Sequence, residues 1–431
     1  ELEDGRLIAF LANTSRSDSV KLKLCVRGRF GVEEWDAETG DVRAAGAVVD
    51  DDCTEVPLMF EPVASHLLVF DPDAAPGPLK APPAASETVA AEVNKWAIAR
   101  KAPNAVTLDY CRLKKGDEPF GDVLPIIALQ KILQDEEPYE GPIALRCGFE
   151  VDTVPAMLAV AVEDAGQYEI AINGRDVAYD GDGSDYYVDR SFLPVNLTPH
   201  VKTGTNTLDL STDFRALREP KFVLNRLFAN VSGTELESVY LIGDFGVRGR
   251  VSAKEQRTES VRYAPHFVIT GEPRATAGDL VADGYPFFAG GIDLQAEFSA
   301  APRRGDRVLL RLPGLQACVA EILVNGDSAG KLAWRPFELD ISELVENGRN
   351  QLTLRLKNTL RNLLGPHHRP LVERLQNWGW HDYEGAYCEL TERRYPQWYK
   401  DRSQDTDAWT EDYFFVPFGM DRPAEVVLVH P

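Results

Sequence analysis

Short runs of alternating apolar and polar residues, each closed by Asn-Gly, Gly-x-Asn or Pro, make up most of this chain. That period of two predicts strands. The stretch from Val324 to Leu356 shows it best. Ile322 and Val324 alternate ahead of Asn325-Gly326, a tight-turn pair because both residues tolerate positive φ. Pro336 to Ile341 is a second extended segment, and Asp340 or Ser342 caps a short helical turn before Glu346. Gly348 and Asn350 then turn the chain into a third strand through Leu352, Leu354 and Leu356.

The pattern has an earlier copy. Asn173-Gly174 follows Ile170 and Ile172, and Gly204-x-Asn206 leads into Leu208 and Leu210. Asn196 precedes Asn206 by ten residues, as Asp340 precedes Asn350. Phe149 stands ahead of the first copy and Phe298 ahead of the second. Glu237-Ser-Val-Tyr240 with Phe245-Gly-Val247 closes one, and Glu411-Asp-Tyr-Phe414 with Phe418-Gly-Met420 closes the other. Shared features in one order predict two copies of an all-β unit of roughly 110–160 residues.

Around the copies, residues 1–72 predict a small β domain, with strands at Leu7–Leu11, Val20–Val26, Val32–Trp35, Thr54–Phe60 and Ser65–Phe70. Residues 73–140 read as a linker and mixed segment, with Pro72 to Pro83 rich in Pro, Ala and Gly. Within it Trp96–Ile98 and Val106–Cys111 have strand character. Pro125 to Leu133 predicts a short helix with Ile126, Leu129 and Leu133 on one apolar face, lying against the first copy. The first sandwich spans 141–260 and the second 261–431, the latter interrupted by a long aromatic insertion, 358–410.

Lys and Arg total 46 against 68 Asp and Glu, a formal charge of −22. That balance argues against nucleic acid and against anionic membrane surfaces, since both need a basic face. No apolar run approaches the ~18 residues of a membrane span. The chain begins without Met or an apolar leader, which reads as a piece of a longer polypeptide. The six cysteines show no metal-ligand spacing. Cys25 and Cys147 sit in apolar strand patterns as buried thiols, with Cys25–Cys53 the pair best placed for a disulfide.

The insertion holds the main candidates for chemistry. Trp378, Trp380, His381, Asp382, Tyr383, Glu384 and Trp398 combine indole and phenol rings with polar groups, as carbohydrate binding requires; the alternative is an aromatic plug or domain interface. Asp382 and Glu384 are the one carboxylate pair worth inspecting for hydrolysis. His367-His368 are expected to be loop histidines held by backbone. Asp180, Asp182 and Asp185, spaced by Gly, are a weak calcium loop lacking the closing Glu, and otherwise an Asp/Gly hairpin loop.

The Asn-Gly turn, the Phe-x-x-x-Asn-Leu or Phe-x-Leu-Asp-Ile step and the Gly-x-Asn-x-Leu-x-Leu strand resemble the galactose-binding-like (jelly-roll) β-sandwiches of family 2 glycoside hydrolases. Asn358 to His368 (NTLRNLLGPHH), Trp380 to Gly385 (WHDYEG) and Glu33 to Gly40 resemble the C-terminal half of bacterial α-L-rhamnosidases of glycoside hydrolase family 106. The resemblance implies a small β domain followed by two duplicated sandwiches, and a catalytic barrel upstream in the same polypeptide. It implies polysaccharide degradation, a glycan partner, a structural calcium, and export to the periplasm or cell exterior. It transfers no catalytic residue, because the family's carboxylates lie in the barrel. The function expected is a non-catalytic accessory region of a glycoside hydrolase. The alternatives are a stand-alone carbohydrate-binding module and a structural or adhesion array without ligand.

Overall fold

The computed structural model describes residues 4–15, 18–37, 39–50, 52–78, 86–181, 183–216, 233–255, 260–365, 367–368 and 410–431. Both Asn-Gly pairs turn as expected. Asn173 and Gly174 have φ of 52° and 75°, Asn325 and Gly326 of 54° and 94°. They close the hairpins Glu169–Ile172 with Arg175–Val177 and Val319–Val324 with Asp327–Leu332.

Each turn Asn is braced by a second, buried Asn. Asn173 Nδ2 donates to Asn206 Oδ1 and to the His200 carbonyl. Asn325 Nδ2 donates to Asn350 Oδ1 and to the Leu344 carbonyl. Asn206 Nδ2 reaches the Lys202 and Gly204 carbonyls, and Asn350 Nδ2 those of Glu346 and Gly348. The backbone N–H of Lys202 and of Glu346 returns to the same two Oδ1 atoms. Phe149 pairs with Asn206 across one sheet, and Phe298 with Asn350 across the other. The duplication read from the sequence thus holds atom by atom at its centre.

The sheets repeat as well, and all are built largely of antiparallel strands. In the first sandwich one sheet runs Tyr110–Lys115, Gly141–Val151, Gly204–Phe214, Glu169–Ile172, Arg175–Val177, and faces Asn104–Leu108, Val239–Gly243, Leu158–Glu163, Phe192–Asn196. In the second, Trp96–Arg100, Gly291–Ala300, Gly348–Lys357, Val319–Val324, Asp327–Leu332 faces Ser86–Val93, Ala424–His430, Arg307–Arg311, Glu338–Asp340. The long strands show the alternating burial of a half-covered sheet, as in Gly348–Lys357 with Asn350, Leu352, Leu354 and Leu356 inward.

The segment 73–140 needs correction. Residues 86–115 are strands of the sandwiches themselves and not linker. Ser86–Val93 and Trp96–Arg100 complete the second sandwich, and Asn104–Leu108 and Tyr110–Lys115 complete the first. The chain therefore enters the second sandwich, crosses to the first, builds it, and returns. One contiguous apolar core runs through both. The short helix Ile126–Lys131 follows Pro125 and buries Ile126, Ala128 and Leu129 against that core. Tyr285-Pro-Phe-Phe288 forms a turn, with Tyr285, Phe287 and Phe288 fully buried.

The N-terminal unit has its own core, centred on Phe30, Val56, Phe60, Leu68 and Phe70. The five expected strands are present, and Val42–Ala44 and Val48–Asp50 add to them. Cys25 is disulfide-bonded to Cys53, with Cα atoms 6.1 Å apart, and is not a free thiol; Cys111 and Cys147 are buried free thiols. The bridge closes a separation of 28 residues. A Cys25→Ser, Cys53→Ser variant is expected to lose about 3 kcal/mol from this unit alone, through the extra freedom of its unfolded chain. Calorimetry should show one transition falling while the sandwich transition stays in place.

Candidate functional site

The site lies where the first sandwich meets the root of the insertion. Asp109 sits between Asn104–Leu108 and Tyr110–Lys115, where the chain changes sheets. Its side chain is only 15% exposed. His368 Nε2 lies 3.1 Å from Asp109 Oδ2, and the Tyr413 hydroxyl donates to Oδ1. His367 Nδ1 stands 3.9 Å from the same carboxylate. His368 Nδ1 faces the carbonyls of Thr410 and Asp412 at 3.0 and 3.1 Å, so both of its ring nitrogens meet acceptors. His367 Nε2 donates to the Asn362 carbonyl at 2.8 Å. His367 and His368 are thus satisfied by backbone, as expected, and joined by a carboxylate that was not.

The charges follow from this packing. Burial pushes His367 down to about 4, so its ring is neutral at neutral pH, with the proton on Nε2. Burial would raise the Asp109 carboxyl, but the hydrogen bond and charge of His368, then His367 and Tyr413, together hold it below its usual range. Burial first, and then the Asp109 charge, push the Tyr413 phenol well above its usual value. Tyr413 therefore stays a donor to an ionised Asp109.

The same contacts clamp the two ends of the insertion. Thr410 N–H donates to the His368 carbonyl, and Phe414 N–H to that of His367. Asn362 exchanges hydrogen bonds with the backbone of Val416, and Thr107 Oγ1 donates to the Leu363 carbonyl. Beside this clamp lies a cleft of about 540 Å³, walled by Phe149 and Phe267 and carrying Asp109, Glu150 and Glu411. His266 Nε2 pairs with Glu150 at 3.4 Å on its rim. Phe267 is fixed edge-on against Tyr413, with ring centroids 5.0 Å apart.

The carbohydrate-binding candidates Trp378, Trp380, His381, Asp382, Tyr383, Glu384 and Trp398 lie outside the described residues, as does Asp182. Asp180 and Asp185 are exposed, and among the described residues no three His, Cys, Asp or Glu gather to hold a metal. No helix of the described residues is long and apolar enough to cross a membrane. Asp109, Glu150, His266 and Tyr413 went unmarked in the sequence. The one available signal was Asp109, a single charge inside the apolar run Val106 to Cys111.

Neither a family model nor a curated protein matches this chain. Solved structures do. A rhamnosidase from Novosphingobium sp. PP1Y aligns over 98% of this chain and 22% of its own length, at 13% identity and a TM-score of 0.39. A Streptomyces avermitilis α-L-rhamnosidase complexed with L-rhamnose aligns over 80% of this chain and 34% of its own, at 13% identity and a TM-score of 0.25. A β-D-glucuronidase of Dictyoglomus thermophilum aligns over 60% and 39%, at 13% identity and a TM-score of 0.23. The chain thus spans between about a fifth and two fifths of these enzymes. At such identity and scores the likeness decides no activity.

Proposed function

We infer that this chain is a non-catalytic β-sandwich region of a carbohydrate-active protein, packed against a neighbouring domain. The observation that carries this is the outer face of the N-terminal sheet. Phe10 lies opposite Leu67, Ile8 opposite Val69, and Trp35 opposite Val42. Glu33 lies opposite Val69, and residues two apart share a face, so Ile8, Phe10, Trp35 and Val42 stand on the side of the sheet turned away from the unit's core, with Val69 itself only 1% exposed. Phe10 is 69% exposed and Val42 51%. Among the described residues, Ile8, Phe10, Trp35 and Val42 on this face are four of the eighteen exposed large apolar side chains. A contiguous face of this kind marks a contact surface, whereas scattered single residues do not.

The resemblance names the neighbour as an upstream catalytic barrel. The Cys25–Cys53 bridge supports an exported protein, because such bonds persist in oxidising compartments. The stand-alone binding module is the second reading, and the cleft beside Asp109 is the observation in its favour. Two results separate them. The coding sequence before Glu1 should carry several hundred residues of alternating β/α pattern, and the chain alone should leave aryl glycosides intact. An initiator codon directly before Glu1 would support the stand-alone module. Hydrolysis by the isolated chain would overturn both readings.

A further inference from the structure

We propose that Cys111 and Cys147 are an oxidation site, closed into a second disulfide by exchange with a disulfide oxidant while the first sandwich folds. Tyr110–Lys115 and Gly141–Val151 run antiparallel, with Leu113 opposite Leu145 and Arg112 opposite Arg146. One step further in the same register sets Cys111 opposite Cys147. Both side chains face the core, at 1% and 0% exposure. Residues opposed across antiparallel strands have Cα atoms about 4.5 or 5.5 Å apart, and disulfides span about 4.4–6.8 Å, so either kind of pair can carry the bond. The two thiols also lie within hydrogen-bonding reach of each other. The structure shows them reduced.

The step balances with a disulfide as oxidant. One protein thiolate attacks a sulfur of the oxidant, forms a mixed disulfide and releases the first oxidant thiol. The second protein thiolate attacks the protein sulfur of that mixed disulfide, forms the Cys111–Cys147 bond and expels the second oxidant thiol. The two protein thiols lose two electrons and two protons, and the oxidant gains both. Burial sets the timing. Hydrogen bonding with Cys147 first, and then burial, push the Cys111 thiol well above its ordinary value, so the folded pair holds little of the reactive thiolate. Exchange therefore belongs to folding, before the sheet is covered. The bond encloses residues 112–146, with the helix Ile126–Lys131 among them, and ties the strand after Asp109 to the long strand of its sheet. The supply of oxidant in the cell rests on the exported reading above; the pairing rests on the strand register.

The test refolds the full chain with oxidised and reduced glutathione, blocks the remaining thiols with N-ethylmaleimide in denaturant, and maps tryptic peptides by mass spectrometry. Cys111 and Cys147 should be recovered in linked peptides, lighter by two hydrogens than the separate thiols, beside the Cys25–Cys53 pair. Cys25 is exposed, so dithiothreitol without denaturant should open its bond well before the buried one. In a Cys25→Ser, Cys53→Ser chain, closing Cys111–Cys147 should raise the melting temperature of the sandwich body by about 5 °C, the scale for a loop of this length.

Alkylated Cys111 and Cys147 beside a closed Cys25–Cys53 bond would overturn the proposal, make the pair apolar filling, and leave the exported reading standing. Two open pairs would overturn both. A link that lowers the melting temperature of the body would show a bond forced on the fold and would overturn the native pairing. Both bonds opening together in dithiothreitol would overturn the shielding on which closure during folding depends.

Discussion

Asp109→Ala should destabilise the sandwich body by about 4 kcal/mol, the scale for removing one member of a buried ion pair. The variant strands the His368 Nε2 and the Tyr413 hydroxyl, both on buried side chains, without an acceptor. Each stranded group costs about 1–3 kcal/mol. Asp109→Asn keeps the shape and one carbonyl acceptor, so its loss should be about half as large. Denaturant unfolding reads both values. A loss below about 1 kcal/mol in Asp109→Ala would show that the clamp on residues 367–368 and 410–413 is not what holds this region.

The cluster also gives the body a pH signature. Unfolded, His367 takes a proton near the ordinary value of 6.5; folded, it resists until about pH 4. Between these values the unfolded chain binds the extra proton, so stability falls as pH drops from about 6.5 to about 4. Asp109, held below its usual 3.8, adds stability that is present above that value and lost as pH falls through its folded value. The N-terminal unit should move the other way. The hydrogen bond to Glu34 leads in raising His66 above 6.5, so its contribution is complete below 6.5 and is lost as pH rises through the raised value. Glu34, lowered by the same bond, gives way only below about 4.5. From pH 7 to 5 the body's transition should drop while that of the small unit holds or rises. Parallel movement of the two would contradict this account.

What the sequence disclosed and what it withheld follow from range. Asn325-Gly326 and Gly348-x-Asn350 are local, because positive φ and a short hydrogen-bonded loop are decided within about ten residues. The alternation of Leu352, Leu354 and Leu356 is equally local, and the all-β fold followed from many such runs. Residues 86–115 show alternation too, yet alternation names no partner. Ser86–Val93 pairs with Ala424–His430 at the far end of the chain, and nothing in either segment points to the other. The Asp109–His368 contact spans 259 residues for the same reason. His367 was legible as a satisfied loop residue because its backbone partner, the Asn362 carbonyl, lies five residues away, whereas the carbonyls facing His368, Thr410 and Asp412, lie across the insertion. The cleft was invisible, since Glu150, His266 and Glu411 come from three separate elements and share no motif.

Asn350→Ala should cost about 4 kcal/mol, and Asn206→Ala the same in the first sandwich. Each side chain is fully buried and carries four hydrogen bonds, at roughly 1 kcal/mol apiece. Alanine leaves the backbone N–H of Glu346 and the side chain of Asn325 without their acceptor, so the Asn-Gly turn loses its brace along with the loop before the strand. Asn325→Ala should cost less, because part of its bonding lies near solvent. Combining it with Asn350→Ala should add little, since both remove one shared network. The two sandwiches share a core, so damage at Asn206 should lower the same cooperative transition as damage at Asn350. Two separable sandwich transitions in either variant would instead mean that the strands of residues 86–115 do not bind the halves into one unit. That outcome would also remove the mechanical reason for the insertion root, held by Asp109 of the first sandwich and by Tyr413, whose strand Tyr413–Phe415 pairs with Ser260–Tyr263, to form a single rigid site.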